Sequence, residues 1–149
     1  MRKYFVAGAL LAVTLTAASA AGDPVATRKA IMQSVAANAG LAGAMMKGDI
    51  AYSPAAGKAA IASMNAAANA LGAFYPDGTQ NAEGSSASPK IWEDAAGFEA
   101  ALAKFSEVTG AAAQASGKDG PADVEAFKTA MGPVMGSCKA CHEAYRVQR

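Results

Sequence analysis

One short segment of the chain brings reactive side chains close together: Cys138-Lys139-Ala140-Cys141-His142. Its C-x-x-C-H spacing is the pattern of covalent haem attachment. Two thiols at i and i+3 lie on one helix face, where each can add to a vinyl group of a porphyrin. The imidazole of His142, the only histidine in the chain, follows at once and is placed to bind the iron. The segment therefore predicts one covalent haem c, with Cys138 and Cys141 as thioether anchors and His142 as an axial ligand.

Three other interpretations of the two cysteines are weaker. A zinc site needs three or four protein ligands, and these three potential ligands crowd into five consecutive residues with no neighbouring set to complete them. A thioredoxin-like pair opens a helix that follows a strand, whereas this pair ends a predicted helix. A disulfide between residues three apart closes a loop too small to stabilise the chain much.

The N-terminal residues predict export. A basic start, Met1-Arg2-Lys3, precedes an apolar run from Tyr4 to about Thr16, and Ala18-Ser19-Ala20 fits the small-x-small cleavage rule. We expect a signal peptide over residues 1–20, a mature domain over 21–149 and a periplasmic location. Two free thiols are unusual in an oxidising compartment, and haem thioethers would consume both.

Composition and net charge argue against several classes of function. The 149 residues suffice for one domain with a core, and a net charge of +1 gives no electrostatic basis for binding nucleic acid. No segment after the signal is long and apolar enough to span a membrane. No nucleophile–base pair can be built, because the only histidine is already assigned to the iron, so we do not expect an enzyme.

Start and stop signals predict an all-α chain. Asp23-Pro24, Ser53-Pro54 and Ser88-Pro89 each place a capping side chain before a proline, and Gly120-Pro121 is a weaker start. With glycine-containing breaks between them, these signals predict helices over 24–47, 54–73, 89–115 and 121–147. Apolar residues spaced three and four apart on each helix predict an antiparallel four-helix bundle with the haem in its core.

The apolar stripes also predict which residues face inward. On the third helix they are Ile91, Ala95, Phe98, Leu102 and Phe105; on the fourth they are Phe127, Met131, Val134, Cys138, Cys141 and Tyr145. Both cysteines therefore face the interior. Pro133 lies inside the fourth helix and predicts a kink, or the start of a new segment, one turn before Cys138.

These features resemble the class II c-type cytochromes, the family of cytochrome c′ and its low-spin, methionine-ligated relatives. The local matches are residues 137–146 around the haem motif, residues 88–94 (Ser-Pro-Lys-Ile-Trp-Glu-Asp) and Lys47-Gly48 at the end of the first helix. The likeness extends over essentially all of the mature chain. It implies a periplasmic carrier of single electrons that meets redox partner proteins, and some members of the family form homodimers.

The resemblance places Met32, on the inward stripe of the first helix, over the open face of the haem. In low-spin relatives a methionine there binds iron, which suits electron transfer. In cytochromes c′ an apolar residue there covers the face without binding, and the haem can then take up NO or CO. Both interpretations stay open, as does a role for Met32 in packing alone. The remaining methionines, Met45, Met46, Met64, Met131 and Met135, are expected to be packing residues.

Residues that would surround the haem follow from the same resemblance. Arg28 matches a family arginine near the haem and is expected to meet the anionic propionates, with Lys29 beside it. Arg146, one turn after His142, resembles an arginine beside the axial ligand. Thr79 and Gln80 resemble a loop pair that touches the haem edge. The alternative for each cation is an ordinary solvated charge.

Overall fold

The computed structural model describes residues 22–147, and within them the predicted all-α class is confirmed. The helices are α1 (Pro24–Lys47), α2 (Pro54–Ala70), α3 (Lys90–Glu93), α4 (Ala95–Ser116) and α5 (Val124–Tyr145), and a 3₁₀ helix (Leu71–Phe74) extends α2. The four long helices form the bundle, in which α4 packs on α2 and α5, and α2 packs on α1. The predicted signal peptide over 1–20 lies outside the described residues.

Helix α1 begins and ends with the capping residues predicted for it. The Asp23 carboxylate accepts a hydrogen bond from the backbone N–H of Val25 at 2.9 Å, which satisfies one of the unpaired donors of the first turn. Gly48 ends the helix at φ 80°, a left-handed conformation that glycine adopts without strain. Ser53 differs from the prediction, because its side chain makes no capping hydrogen bond to α2.

The predicted third helix is wrong in one respect: it is two helices. The chain leaves helical geometry at Asp94 (φ −127°, ψ 57°), and the Asp94 carboxylate then accepts a hydrogen bond from Gly97 N–H at 3.1 Å to start α4. After the break, the side chains of α4 point in directions different from those of one continuous helix. Ala95, predicted to face inward, is therefore exposed, while Ile91 on α3 and Phe98 on α4 are buried.

Helix α5 also differs from the prediction. It begins at Val124 rather than at Pro121, because Asp123 accepts a hydrogen bond from Ala126 N–H at 2.8 Å and acts as the cap. It then runs without a new segment through Pro133 to Tyr145. Pro133 cannot donate to the carbonyl of Thr129, but both residues are exposed, so water can satisfy that carbonyl.

The buried side chains form two clusters. The larger joins the four long helices around Phe127 and Met131, both 0% exposed. The smaller contains Ile91, Phe98 and Tyr145 at the junction of α3, α4 and the end of α5. Met45 and Met64 lie in the larger cluster as predicted, whereas Met135 is 37% exposed and is not a core residue.

The connection from Tyr75 to Pro89 is irregular and lies against the last turn of α5. Ser88 N–H donates to the Tyr145 carbonyl and Val147 N–H donates to the Ser86 carbonyl, both at 3.0 Å. The pairing makes an isolated antiparallel bridge between Ala87 and Arg146, and no strand occurs in residues 22–147. None of the helices in this range is long and apolar enough to cross a membrane.

Candidate functional site

The last two turns of α5 carry the three residues of the predicted attachment site. The Cys138 and Cys141 thiols are free rather than joined as a disulfide, and both are half-buried. Cys138 packs against the larger buried cluster and Cys141 against the smaller one, so the two thiols lie where the clusters meet. His142, the next residue, is exposed.

The surroundings set the protonation states of these groups. Burial raises the pKa of the Cys138 and Cys141 thiols, so both are protonated at neutral pH. Partial loss of water contact around the ring and, to a lesser extent, the nearby Arg146 charge lower the pKa of His142. The imidazole is therefore neutral at pH 7, which is the form that can bind a metal ion.

Met32 lies on α1 and packs against the same buried cluster as Cys138. It is half-buried, whereas Met45, on the same helix, is 1% exposed. Met32 and Cys138 therefore both lie at the edge of the larger cluster. Met46, also half-buried, packs against this cluster from the C-terminal end of α1.

Arg28 is buried rather than solvated, with 3% exposure. Its Nη1 donates to the Phe74 carbonyl at 3.2 Å and to the Thr79 hydroxyl at 2.9 Å; its Nη2 donates to the Thr79 carbonyl at 2.9 Å and to the Ser85 hydroxyl at 3.1 Å. The guanidinium also lies over the rings of Tyr75 (5.0 Å) and Trp92 (5.6 Å). Arg28 therefore ties α1 to the connection that follows α2.

One atom of this buried cation is unsatisfied: Arg28 Nε has no hydrogen-bond partner among the described residues. A buried donor of this kind costs free energy unless something accepts from it. No carboxylate of residues 22–147 forms a salt bridge with Arg28 either. A bound anionic group would supply both the acceptor and the negative charge, so this corner of the bundle fits the carboxylate edge of a haem.

Tyr75 connects the Arg28 corner with the cysteines, and no local pattern in the chain points to it. Burial raises the pKa of its phenol; the Arg28 charge acts in the opposite direction, and the charge of the Cys141 thiolate adds to the rise. Its ring packs edge-on against Phe98 at 4.8 Å and against Trp92 at 6.0 Å. The ring thus contacts the cation and packs against the same smaller cluster as Cys141.

The other predicted residues lie around this site with weaker contacts. Gln80 is half-buried next to Thr79. Lys29 is exposed with its ammonium over Gly84, where an added Cβ would lie 3.4 Å from Nζ. Arg146 is exposed, ends α5 and acts on His142 through its charge. Arg146 therefore lies near the imidazole, and Gln80 lies in the connection that Arg28 holds. Lys29 remains an exposed residue of α1 beside that connection.

Comparison with known proteins places the chain among haem proteins. The family model described as Cytochrome C′ matches residues 23–146. A cytochrome c-556 of Rhodopseudomonas palustris is 33% identical over 150 residues, which is 98% of this chain and 97% of the relative.

Two solved structures show the same architecture. Cytochrome c′ from Rhodopseudomonas palustris aligns with a TM-score of 0.77 at 30% identity, covering 86% of this chain and 98% of the other. A nitric oxide complex of a mutant cytochrome c′ from Alcaligenes xylosoxidans aligns with a TM-score of 0.71 at 30% identity, covering 84% and 94%. The second structure shows that this fold can accept a diatomic gas in that protein.

Proposed function

We propose that this chain, which belongs to the cytochrome c′ family, is a periplasmic carrier of single electrons. It binds one covalent haem c in the interior of its four-helix bundle. Cys138 and Cys141 hold the haem, and His142 binds its iron. The domain extends over residues 21–149 after removal of the signal peptide, and the protein works as a carrier rather than as an enzyme.

The observation that carries this proposal is the position of the two thiols. Both are free, half-buried and located where the two apolar clusters meet, with a neutral imidazole on the next residue. Each protonated thiol can add across a vinyl double bond, so that sulfur bonds to carbon and the proton completes the saturated carbon. The haem supplies the redox chemistry when bound, through an iron that alternates between two oxidation states.

The other residues bind and orient the cofactor. Arg28 Nε, buried and without an acceptor, is available to a propionate oxygen, while its four other hydrogen bonds keep the guanidinium in place. Arg146 adds positive charge beside the axial imidazole. Lys29 and Gln80 lie further out, at the connection between Tyr75 and Pro89, and would face the haem edge from there.

Met32 decides which variant of this function the protein performs. We propose that its thioether would bind the iron as the other protein ligand beside His142, since Met32 on α1 and Cys138 on α5 both pack against the larger buried cluster. A methionine–histidine ligand pair raises the reduction potential. With both ligands in place, the coordination of the iron would change little when it gains an electron. Redox partner proteins would dock on the protein surface and exchange electrons with the haem inside the bundle.

A second candidate function is the binding of NO or CO by a five-coordinate haem. The nitric oxide complex of the Alcaligenes relative supports it. In that case Met32 covers the face without binding, and its flexible side chain moves aside for the gas. A homodimer, known in the family, is compatible with either function.

The test is the optical spectrum of the exported protein matured in a host that attaches haem. We expect a mass increase of one haem, a low-spin reduced spectrum and no change on adding CO. A high-spin spectrum that shifts with CO would establish the second candidate. A colourless protein without added mass would refute both.

A further inference from the structure

We propose that Asp94 is a positioning residue that holds the last turn of α5, through Tyr145, and thereby sets the position of the His142 imidazole. The proposal rests on the proposed function in that His142 binds the haem iron. The Asp94–Tyr145 hydrogen bond joins the beginning of α4 to the end of α5. We call this pair the latch.

The latch is held at both of its ends. The Tyr145 hydroxyl donates to Asp94 Oδ2 at 2.9 Å, while Asp94 Oδ1 accepts from Gly97 N–H at 3.1 Å. The carboxylate is thus fixed by the helix that it caps, and it cannot rotate to follow a moving phenol without losing that bond. Tyr145 itself is 8% exposed, so little water competes for its hydroxyl.

The Asp94–Tyr145 hydrogen bond occupies the space in which a side chain at residue 97 would lie. A Cβ at residue 97 would clash with the Tyr145 hydroxyl and with Asp94 Oδ2. Such contacts do not occur, so any side chain here would force the two oxygens apart. The absence of a side chain at this position in the first turn of α4 is therefore a condition for the latch.

Further contacts keep the rest of the turn in place. The Tyr145 carbonyl accepts from Ser88 N–H, and the ring packs edge-on against Phe98 with 5.4 Å between centroids. The Lys90 ammonium lies 5.5 Å from the centre of the same ring. The backbone, ring face, ring edge and hydroxyl of Tyr145 all have partners outside α5.

The position of Tyr145 in the helix links the latch to the haem site. Tyr145 follows Cys141 by four residues and His142 by three, so the three side chains lie on adjoining parts of one helical turn. Cys141 packs into the same buried cluster as Tyr145. A fixed last turn keeps the imidazole in one orientation, and partners outside the ligand shell tune a metal through such constraints.

The experiment compares Tyr145→Phe with Tyr52→Phe in the haem-loaded protein. Tyr52 is a matched control: its hydroxyl donates to the Pro121 carbonyl at 2.6 Å and its ring lies 5.4 Å from Phe127, at the other end of the bundle. We measure the reduction potential and the hydrogen exchange of the amides of residues 142–147. In Tyr145→Phe we expect faster exchange and a threefold to tenfold change in the equilibrium constant of one-electron reduction, about 30–60 mV. In Tyr52→Phe we expect neither.

A second pair of variants separates the latch from helix capping. Asp94→Ala removes a cap and the latch, whereas Asp123→Ala removes only a cap, the one at the beginning of α5. Asp94→Ala should reproduce the potential shift of Tyr145→Phe, and Asp123→Ala should not. A potential unchanged in Tyr145→Phe would overturn the positioning role even if exchange increased, because a merely structural contact changes exchange alone. A wild-type protein without haem would instead refute the proposed function, and the exchange comparison would still test the latch.

Discussion

Nη1 and Nη2 of Arg28 donate to the two oxygens of Thr79, the hydroxyl and the carbonyl, both at 2.9 Å. The two residues are 51 positions apart, so this contact fastens the start of α1 to the irregular connection between α2 and α3. It places the unpaired donor of the guanidinium, Nε, inside the protein. A single cation thus shapes the loop, and its Nε is the donor that we propose for a haem propionate.

Replacing Arg28 with lysine should destabilise the protein by about 2–3 kcal/mol. Lysine keeps the charge but cannot match the fork geometry that reaches Thr79, Phe74 and Ser85 together, and hydrogen bonds to charged groups are the stronger ones. Urea unfolding of the haem-loaded protein measures the change. Gln33→Ala, an exposed substitution on the same helix, should change the free energy of unfolding by less than about 0.5 kcal/mol. Equal losses in the two variants would contradict the role of Arg28.

Met32→Ala should convert the haem from low spin to high spin and allow CO to bind. The alanine removes the sulfur that we assign to the iron and opens space on that face. Met46→Ala is the control, because Met46 is also half-buried and packs against the same cluster from the other end of α1. It should lower stability and leave the spectrum unchanged. An unaltered low-spin spectrum in Met32→Ala would show that another group binds the iron.

Gly97→Ala and Gly110→Ala, both in α4, should change stability in opposite directions. Alanine normally stabilises a helix relative to glycine by up to about 1 kcal/mol. At Gly110 the new Cβ meets only Asn65 Oδ1 at 3.9 Å, an ordinary contact, so the gain should appear. At Gly97 it clashes with the Asp94 and Tyr145 oxygens of the latch, so a loss of about 1–3 kcal/mol is expected. Thermal unfolding of the two variants measures the difference, and a gain at both positions would contradict the packing around Asp94.

Stability should fall at alkaline pH, partly because of Tyr75. Burial raises its pKa in the folded protein above the ordinary value of about 10. The contribution of a raised pKa is fully present below the unfolded pKa and is lost as the pH rises through the folded pKa. Tyr75→Phe cannot ionise, so its free energy of unfolding should decline less between about pH 9 and pH 11 than that of the wild type. Urea unfolding at several pH values tests this, and parallel declines would show that Tyr75 ionises no differently in the folded state.

Local patterns predict the helical class and the C-x-x-C-H segment, whereas the other proposed haem contacts came from the family resemblance. Asp23-Pro24 and Lys47-Gly48 mark the ends of α1 because caps and left-handed glycines act within one turn. The break at Asp94 could not be predicted in this way, since an aspartate inside an apolar pattern fits a surface residue equally well. The same holds for the exposure of Met135, because hydrophobicity alone does not say which side of a helix the core occupies.

Spacing along the chain is enough to predict the chemistry: two thiols three residues apart, one histidine beside them and helices able to present them. The tertiary structure decided that Arg28 is buried against Thr79, that Tyr75 lies under this cation, and that Asp94 meets Tyr145. The Arg28–Thr79 and Asp94–Tyr145 hydrogen bonds each join residues 51 positions apart, and no periodicity of a helix extends so far. Such contacts arise only when packing brings distant turns together and each buried polar group must find a partner there.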